Sequence, residues 1–433
     1  MAPFIGIDFG TTNSSVALLR ETGPVELVSF PSLSGLTPSF RSVLYLEQIR
    51  QAGRTGIRSH TGPDAIAHYL EAEHKGRLIQ SLKSYLPSRS LTGTEVFGRR
   101  YSIEDLISRI LTDLRLRAEQ QLGQPIRHAT VGRPVRFVAA ETDEDDAFAT
   151  ERLRDAFTQA GFESVHFELE PIGAAATYAA TLTRDELILI GDFGGGTSDF
   201  SLLHAGPSHR GQRSILGNSG LGLAGDAFDA RIVRHLVSPA LGSNSFERTY
   251  SHAPDRPAPV IPAVPAWIYT NLERWHYLSF LKTRNVSEIL RASRLRAQEP
   301  EKIAALIHLI DEDLGYQLHQ AVQRLKIELS RSEEAEFRFR DGGMNLIERV
   351  TRAEFELWIA DDLTAIEQCI DGLLTATKIA PQQVDRVFLT GGTSFVPAVR
   401  HIFESRFTAE RIRTGNEFTS VAQGLALCAA EPA

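Results

Sequence analysis

The sequence predicts an α/β protein of two related lobes, and three observations carry the prediction. A buried strand ending in aspartate, a glycine–threonine turn and a second strand occupy residues 5–17, and the same unit returns at residues 188–202. Strand-like runs alternate with amphipathic stretches of helical period, the pattern of a largely parallel sheet covered by helices. An Ala-rich helix follows each module, at residues 171–182 and again at about 419–430.

The turns of the repeated unit have the chemistry of an anion site. In Ile5-Gly6-Ile7-Asp8-Phe9-Gly10-Thr11-Thr12-Asn13 the glycine lets backbone N–H groups approach an oxyanion, and the hydroxyls add donors. Asp8 at the strand end can hold hydrated Mg²⁺, which prefers oxygen ligands and keeps most of its waters. One such hairpin alone is also the signature of an ordinary tight turn. The second copy, Gly191-Asp192-Phe193-Gly194-Gly195-Gly196-Thr197-Ser198-Asp199, makes the pair a candidate clasp, two domains facing each other across one nucleotide.

The elements follow in order. Residues 25–46 are a mixed segment with strand-like runs and a turn at 32–35, and residues 64–85 have helical spacing. Residues 101–122 are a clearer helix, with Leu106, Ile107, Ile110, Leu111 and Leu114 on one face and Gly123 as its stop. A strand at 128–132, a helix at 141–160 and a short strand at 165–169 lead to the first Ala-rich helix, which either crosses between domains or only packs tightly. Residues 217–226 read as a Gly-rich loop leading into a helix. Residues 238–265 hold six prolines and read as an exposed, partly extended insertion. Helices are expected at 267–281, as one long element at 302–330, and at 352–376. The long one carries Ile303, Leu306, Ile307, Ile310, Leu314, Leu318, Val322, Leu325 and Leu329 as a packing stripe. A small hairpin over 335–350 and a buried strand at 384–390 complete the pattern.

Composition narrows the function. A chain of 433 residues supports two or three cored domains, and 42% hydrophobic with 23% charged residues is ordinary for a globular protein. A net charge of −8 argues against a general affinity for nucleic acid or anionic membrane. Cys369 and Cys428 are too few for a disulfide framework, so a cytoplasmic, reducing location is expected. The core strand starting at Phe4 leaves no room for a leader, and no apolar run approaches the roughly 20 residues that span a bilayer.

Five motifs then match one family in order. IGIDFGTTNSSVA resembles a phosphate-1 signature, Glu170-Pro171-Ile172-Gly173-Ala174-Ala175-Ala176 a connecting helix, and GDFGGGTSDFS a phosphate-2 signature. Gly225-Asp226-Ala227-Phe228-Asp229 resembles a nucleotide loop, and VFLTGGTSFVPAV an adenosine signature. From residue 5 to about 430 the chain resembles the ATPase half of the Hsp70 (DnaK) chaperones, within the actin/hexokinase/Hsp70 superfamily, and in particular short Hsp70-like proteins of the YegD type. The resemblance implies an actin-like ATPase fold, two lobes each built on a ribonuclease H-like mixed sheet with helices on both faces. Lobe I would be 1–183 and lobe II 184–415, with the insertion at 238–265 and a helical subdomain at 266–380. A crossing helix at 416–433 would pack back on lobe I. The motifs run out at Ala433, so the expectation is a protein without the family's peptide-gripping β-sandwich.

The resemblance also implies a site. Asp8, Glu170 and Asp192 would face Mg²⁺ and its waters. Gly10, Thr11, Thr12, Asn13, Gly194, Gly195, Gly196 and Thr197 would cradle the phosphates of ATP or ADP. Thr197 and Asp199 would order the attacking water, unless Asp199 merely fixes its hairpin. The family places a lysine near the γ-phosphate, and only Lys75 and Lys83 precede Lys282. Lys83 has the matching setting, with a surface lysine as the alternative. Gly225, Asp226, Lys326, Ser330, Gly391, Gly392 and Thr393 would meet the nucleoside. Two departures stand out: Ile327 and Phe395 replace cationic residues, and Phe395 is either a purine platform or a core residue. The segment Val131–Phe137, which in the family relays nucleotide state, also departs from the pattern. The implied function is a slow, nucleotide-switched ATPase acting on an unidentified protein partner or client. A small-molecule kinase, a nucleotide sensor with little turnover and an actin-like filament former are the alternatives.

Overall fold

The computed structural model describes residues 3–21, 23–32, 35–51, 54–72, 76–209, 214–248, 260–274, 277–342, 344–414 and 419–430. It is the mixed α/β architecture expected, and packing divides it into two compact units, Met1–Gly225 with Leu363–Ala433, and Asp226–Asp362.

Both hairpins lie in the first unit. One sheet runs in the order Ser164–Leu169, His128–Arg133, Phe4–Phe9, Asn13–Leu19, Glu26–Leu27, with Phe40–Arg41 also paired to Asn13–Leu19. Phe4–Phe9 is antiparallel to its hairpin partner and parallel to His128–Arg133, so the hairpin is grafted onto a parallel sheet. The second sheet repeats the arrangement: Ser214–Leu221, Ser198–Ala205, Glu186–Phe193, Arg386–Thr390, Ile412–Thr414. Every residue of Glu186–Phe193 is buried, as for a strand covered on both faces.

Helix Ile103–Leu122 has the stripe read from the sequence: Leu106, Ile107, Ile110, Leu111 and Leu114 are all fully buried. Its start is set by a reciprocal Ser102–Asp105 capping box and its end by Gly123 at φ 75°. The two Ala-rich helices, Glu170–Ala179 and Ser420–Ala430, pack directly on each other. A Cβ on Gly424 would lie 1.6 Å from the Gly173 carbonyl oxygen, so two backbones touch with no side chain between them. Gly6 has the same role in the first strand, where a Cβ would fall 2.2 Å from the Ala422 oxygen. Thr177 Oγ1 donates to the Ser420 carbonyl at 2.6 Å, and Val421 and Leu425 pack with Ala174, Ala175, Ile188 and Ile190.

Five expectations change, the first being that residues 267–281 hold two helices, Ala266–Leu272 and Leu278–Leu281, rather than one. Residues 64–85 are not one helix: helix Gly62–Glu71 is followed by strand Arg77–Gln80, which pairs with Val43–Gln51 where Gly76 passes 2.2 Å (as a Cβ) from the Leu46 oxygen. Residues 217–226 are not a loop, because Ser214–Leu221 is a strand antiparallel to Ser198–Ala205. Its glycines serve close approach, since a Cβ on Gly217 or Gly220 would meet Thr377 at 2.6 Å or Asp199 at 2.7 Å. The long helix at 302–330 is two, Pro300–Asp311 and Gly315–Arg331, broken where Asp313 adopts φ 54°. Its stripe is buried apart from Ile307, which is half-buried. Residues 352–376 are likewise split into Arg352–Trp358 and Ala360–Thr377. Helix Arg284–Arg296, capped by the Thr283 hydroxyl, was not read from the sequence.

Among its described residues the second unit, taken by itself, is helical with one hairpin, Glu334–Asp341 against Met344–Thr351. In it Arg231 grips Asp362 through two hydrogen bonds of 2.8 and 2.9 Å. Of the proline-rich stretch, residues 249–259 lie outside the described residues; Val260 is 75% exposed, while Ala263 and Val264 are buried. Neither Cys369 nor Cys428 is in a disulfide. Among the described residues no helix is long and apolar enough to cross a membrane.

The glycine contact gives a test. Gly424→Ala is expected to destabilise the protein by about 1–3 kcal/mol through overpacking. Gly372→Ala, in an exposed helical position with nothing within 4 Å of the added methyl, should instead stabilise by up to about 1 kcal/mol. Thermal melts of the two variants should therefore move in opposite directions.

Candidate functional site

The phosphate-type hairpins and one buried lysine converge in the first unit. After strand Arg77–Gln80 the chain turns at Ser81, which takes φ 59°, and a short 3₁₀ helix, Leu82–Tyr85, carries Lys83 inward. Lys83 is only 5% exposed, which excludes the surface reading, and its Nζ donates to Glu170 Oε1 at 2.5 Å. Glu170 opens the first Ala-rich helix directly from strand Ser164–Leu169. Its stem lies against Gly132, where a Cβ would sit 3.0 Å from Glu170 Cγ. Lys75 lies outside the described residues.

Three more carboxylates act on this pair. Asp8 pairs across its ladder with Ser15, but Asp192 stands directly opposite Asp199, a like-charge pairing that is unfavourable in a sheet. Burial, then the charge of Glu170, pushes Asp8 up to about 7, with Lys83 offsetting only part. Asp192 is held well above the ordinary carboxylate range by burial and by Glu170, Asp8 and Asp199. Burial and Glu170 also raise Asp199 to about 7, although Thr197 and the Val135 N–H hydrogen-bond to it. Burial works against the Lys83 ammonium, yet Glu170, Asp8 and Asp199 outweigh it and raise its pKa.

The geometry fits a hydrated divalent cation and a phosphate chain. The donors are oxygens, they carry more negative charge than one lysine cancels, and the cluster strains to keep its protons. Thr12 Oγ1 is buried without any hydrogen-bond partner, a donor waiting for an acceptor. Gly194 is exposed and Gly195 and Gly196 half-exposed, so the second turn is open. A Cβ on Gly196 would meet Val138 Cγ2 at 3.0 Å, Thr11 Oγ1 at 3.2 Å and Ser84 Oγ at 3.6 Å. That contact brings the second turn, the first turn and the lysine segment together. Gly10 allows its turn to close, a Cβ there falling 2.2 Å from the Asn13 oxygen, and Asn13 Oδ1 accepts from Arg41 at 3.3 Å. Asp199 is 1% exposed and accepts from Val135 N at 2.7 Å, so it fixes its hairpin to the segment after Arg133.

The nucleoside candidates are split between the units. In the first, Gly391 has φ 85° and sits against the end of the second hairpin strand, a Cβ being 1.9 Å from the Phe193 oxygen. Thr393 is buried and Gly392 exposed; Phe395 is 45% exposed, which removes the core-residue reading. The Ser198 hydroxyl donates to the Leu223 carbonyl at 2.6 Å, anchoring the approach to helix Gly225–Ile232 that carries Asp226. In the second unit Lys326 pairs with Asp229 at 2.6 Å, and the Ser330 hydroxyl bonds back to the Lys326 carbonyl at 2.9 Å.

A family model described as Hsp70 protein matches residues 4–251 and 303–431. The chain belongs to the Hsp70 family. It is 24% identical over 437 residues to the chaperone protein DnaK of Thermosipho melanesiensis, an alignment covering 98% of this chain and 59% of that relative. This Hsp70 chain thus spans less than two thirds of the length of the curated relative it matches.

Sequence reading missed three parts of this candidate site. Ser84 could have been suspected as a hydroxyl beside Lys83. The Val135 N–H and the Val138 side chain carried no signal, because a backbone donor and a packing contact have no residue-type signature.

The raised carboxylates set a pH dependence for the cation-free protein. A folded pKa above the unfolded value means that the folded state holds more protons between about 4 and about 7. This contribution to stability is complete below that window, falls as pH rises through it, and is gone above about 7. Denaturation midpoints of Asp8→Asn should therefore fall less than those of wild type across the window.

Proposed function

We propose that this Hsp70-family chain binds ATP with Mg²⁺ between its two hairpins and hydrolyses it slowly, as a switch acting on a protein partner. The observation that carries the reading is one buried lysine among four carboxylates, beside two glycine–threonine turns, one of them with an unpartnered hydroxyl. Residues 1–183 and 184–415 are taken as the two lobes.

In this reading Asp8, Asp192 and Glu170 hold the cation, which supplies neutralising charge to the phosphate chain. Gly10, Thr11, Thr12 and Asn13 receive phosphate oxygens from one side, and Gly194, Gly195, Gly196 and Thr197 from the other. Lys83 keeps its proton because Glu170 stands 2.5 Å away, so its ammonium is available to the charge that develops on the transferred phosphoryl group. Thr197 and Asp199 order the attacking water. Asp199 does so from a position fixed by the Val135 N–H. Gly391, Gly392 and Thr393 lie along the nucleoside, with Gly225 of the same unit beside them. Phe395, exposed, offers a stacking face without the hydrogen bonds of a guanidinium. Ile327 is 50% exposed and adds none, so discrimination between purines is weak. Tighter binding of ATP than ADP by the two turns would shift the lobes toward closure, the signal read by a partner.

Titration calorimetry with ATP, ADP and GTP in Mg²⁺ tests the binding step. Asp8→Asn is expected to weaken Mg²⁺-dependent binding about tenfold or more. Unchanged binding by that variant, or none by wild type, would remove the proposal. In single-turnover hydrolysis, Lys83→Ala should lose about 10²–10³-fold in rate. Glu170→Gln combined with it avoids leaving a lone buried charge. ADP release that depends on an added sugar or polyol would instead indicate a kinase.

A further inference from the structure

Away from the phosphate turns, two strands and the helix after them bring two imidazoles and a carboxylate to one place. Strands Val43–Gln51 and Arg54–Thr61 pair with Tyr45 opposite His60, so Glu47, two residues along, projects from the same face as His60. His60 Nε2 and Glu47 Oε1 are 2.9 Å apart. The chain then turns at Gly62, with φ 59°, and helix Gly62–Glu71 packs back over this face. His68 on that helix lies on His60 with ring centroids 3.6 Å apart and planes 27° apart. One donor atom from each of Glu47, His60 and His68 lies within 4.8 Å of the other two.

The support under these side chains is rigid, and the rim is open. Tyr45 and Tyr69 pack edge to face at 5.8 Å and are buried, as are Ala65 and Ile66 of the same helix. The Tyr45 hydroxyl accepts from Gly76 N at 2.9 Å. Above this floor the Glu47 and His60 side chains are 24% and 13% exposed, and His68 is exposed. Solvent therefore reaches three donors that the backbone holds together.

We propose that Glu47, His60 and His68 bind one divalent transition-metal cation of the zinc class, joining the hairpin to the helix that covers it. Imidazole nitrogen selects Zn²⁺, Ni²⁺ or Cu²⁺ over Mg²⁺, whereas the phosphate site offers oxygen alone, so the two sites take different cations. Two histidines and a glutamate make a three-ligand set that leaves a fourth position to water. Tetrahedral ligation at about 2.1 Å spaces donor atoms about 3.4 Å apart. The donors already lie within 4.8 Å of one another, and rotation of the exposed His68 ring closes the remainder. The metal replaces the His60–Glu47 hydrogen bond and takes the place of the direct stacking of the two imidazoles.

The test uses the full chain in Mg²⁺ with Co²⁺ and Zn²⁺ as probes. Co²⁺ is expected to bind at one equivalent with the intense visible absorption of a low-coordinate ion, and Zn²⁺ to displace it and raise the melting temperature. His68→Ala and Glu47→Gln should each lose about tenfold or more in affinity. His401→Ala, at an exposed position on helix Pro397–Phe407, should not change it. Both ligand variants should melt like wild type in EDTA, and Glu47→Gln keeps the test open if His68→Ala is unstable. Equal Co²⁺ binding by wild type and the ligand variants, dependence on His401, or no binding at all overturns the proposal.

Discussion

Four carboxylates and one ammonium share a small volume where the two hairpins meet, and much of the first unit follows from that imbalance. Lys83 and Glu170 satisfy each other at 2.5 Å, yet Asp8, Asp192 and Asp199 remain with only part of a counter-charge. A buried pair of this kind contributes little net stability, and the surplus carboxylates cost more. Such an arrangement persists where binding relieves it. The surrounding structure holds it in place: a left-handed turn at Ser81 delivers the lysine, a helix start delivers Glu170, and a backbone N–H pins Asp199.

The parts of the fold legible in the sequence were those written in residue type. Two Gly–Thr hairpins, a helix with Leu106, Ile107, Ile110, Leu111 and Leu114 inward, and Gly123 as its end all stand as read. Two of the failures share one cause. Gly76 fell inside a stretch read as helix, and Gly217 and Gly220 inside one read as a loop, but each is a place where another group passes too close for a Cβ. Close approach is set by tertiary partners that a linear pattern does not contain. Asp313 shows the converse, a single left-handed residue breaking an apolar stripe that runs on unbroken in sequence.

The site divides along the same line. Charged residues in motifs were found, because Asp8, Lys83, Glu170 and Asp192 are chemically distinctive. Ser84 and the Val135 N–H were not, because their roles come from position alone. The ambiguity over Phe395 needed coordinates: a phenylalanine after Gly-Gly-Thr-Ser is as plausible inside as outside, and only its exposure decides. Membership of the Hsp70 family rests on the match over residues 4–251 and 303–431, which no single turn could establish.

Gly6 and Ala422 touch backbone to backbone, so the roof over the first strand is made by a segment about four hundred residues downstream. At a synthesis rate of about 5–20 residues per second, that strand waits roughly 20–80 s on the ribosome before its cover emerges. The first hairpin is thus translated early and finished late. Only the face that carries Gly6 and Ala17 waits for that cover, because Ile5, Ile7, Phe9, Val16 and Leu18 pack with residues no later than Phe162.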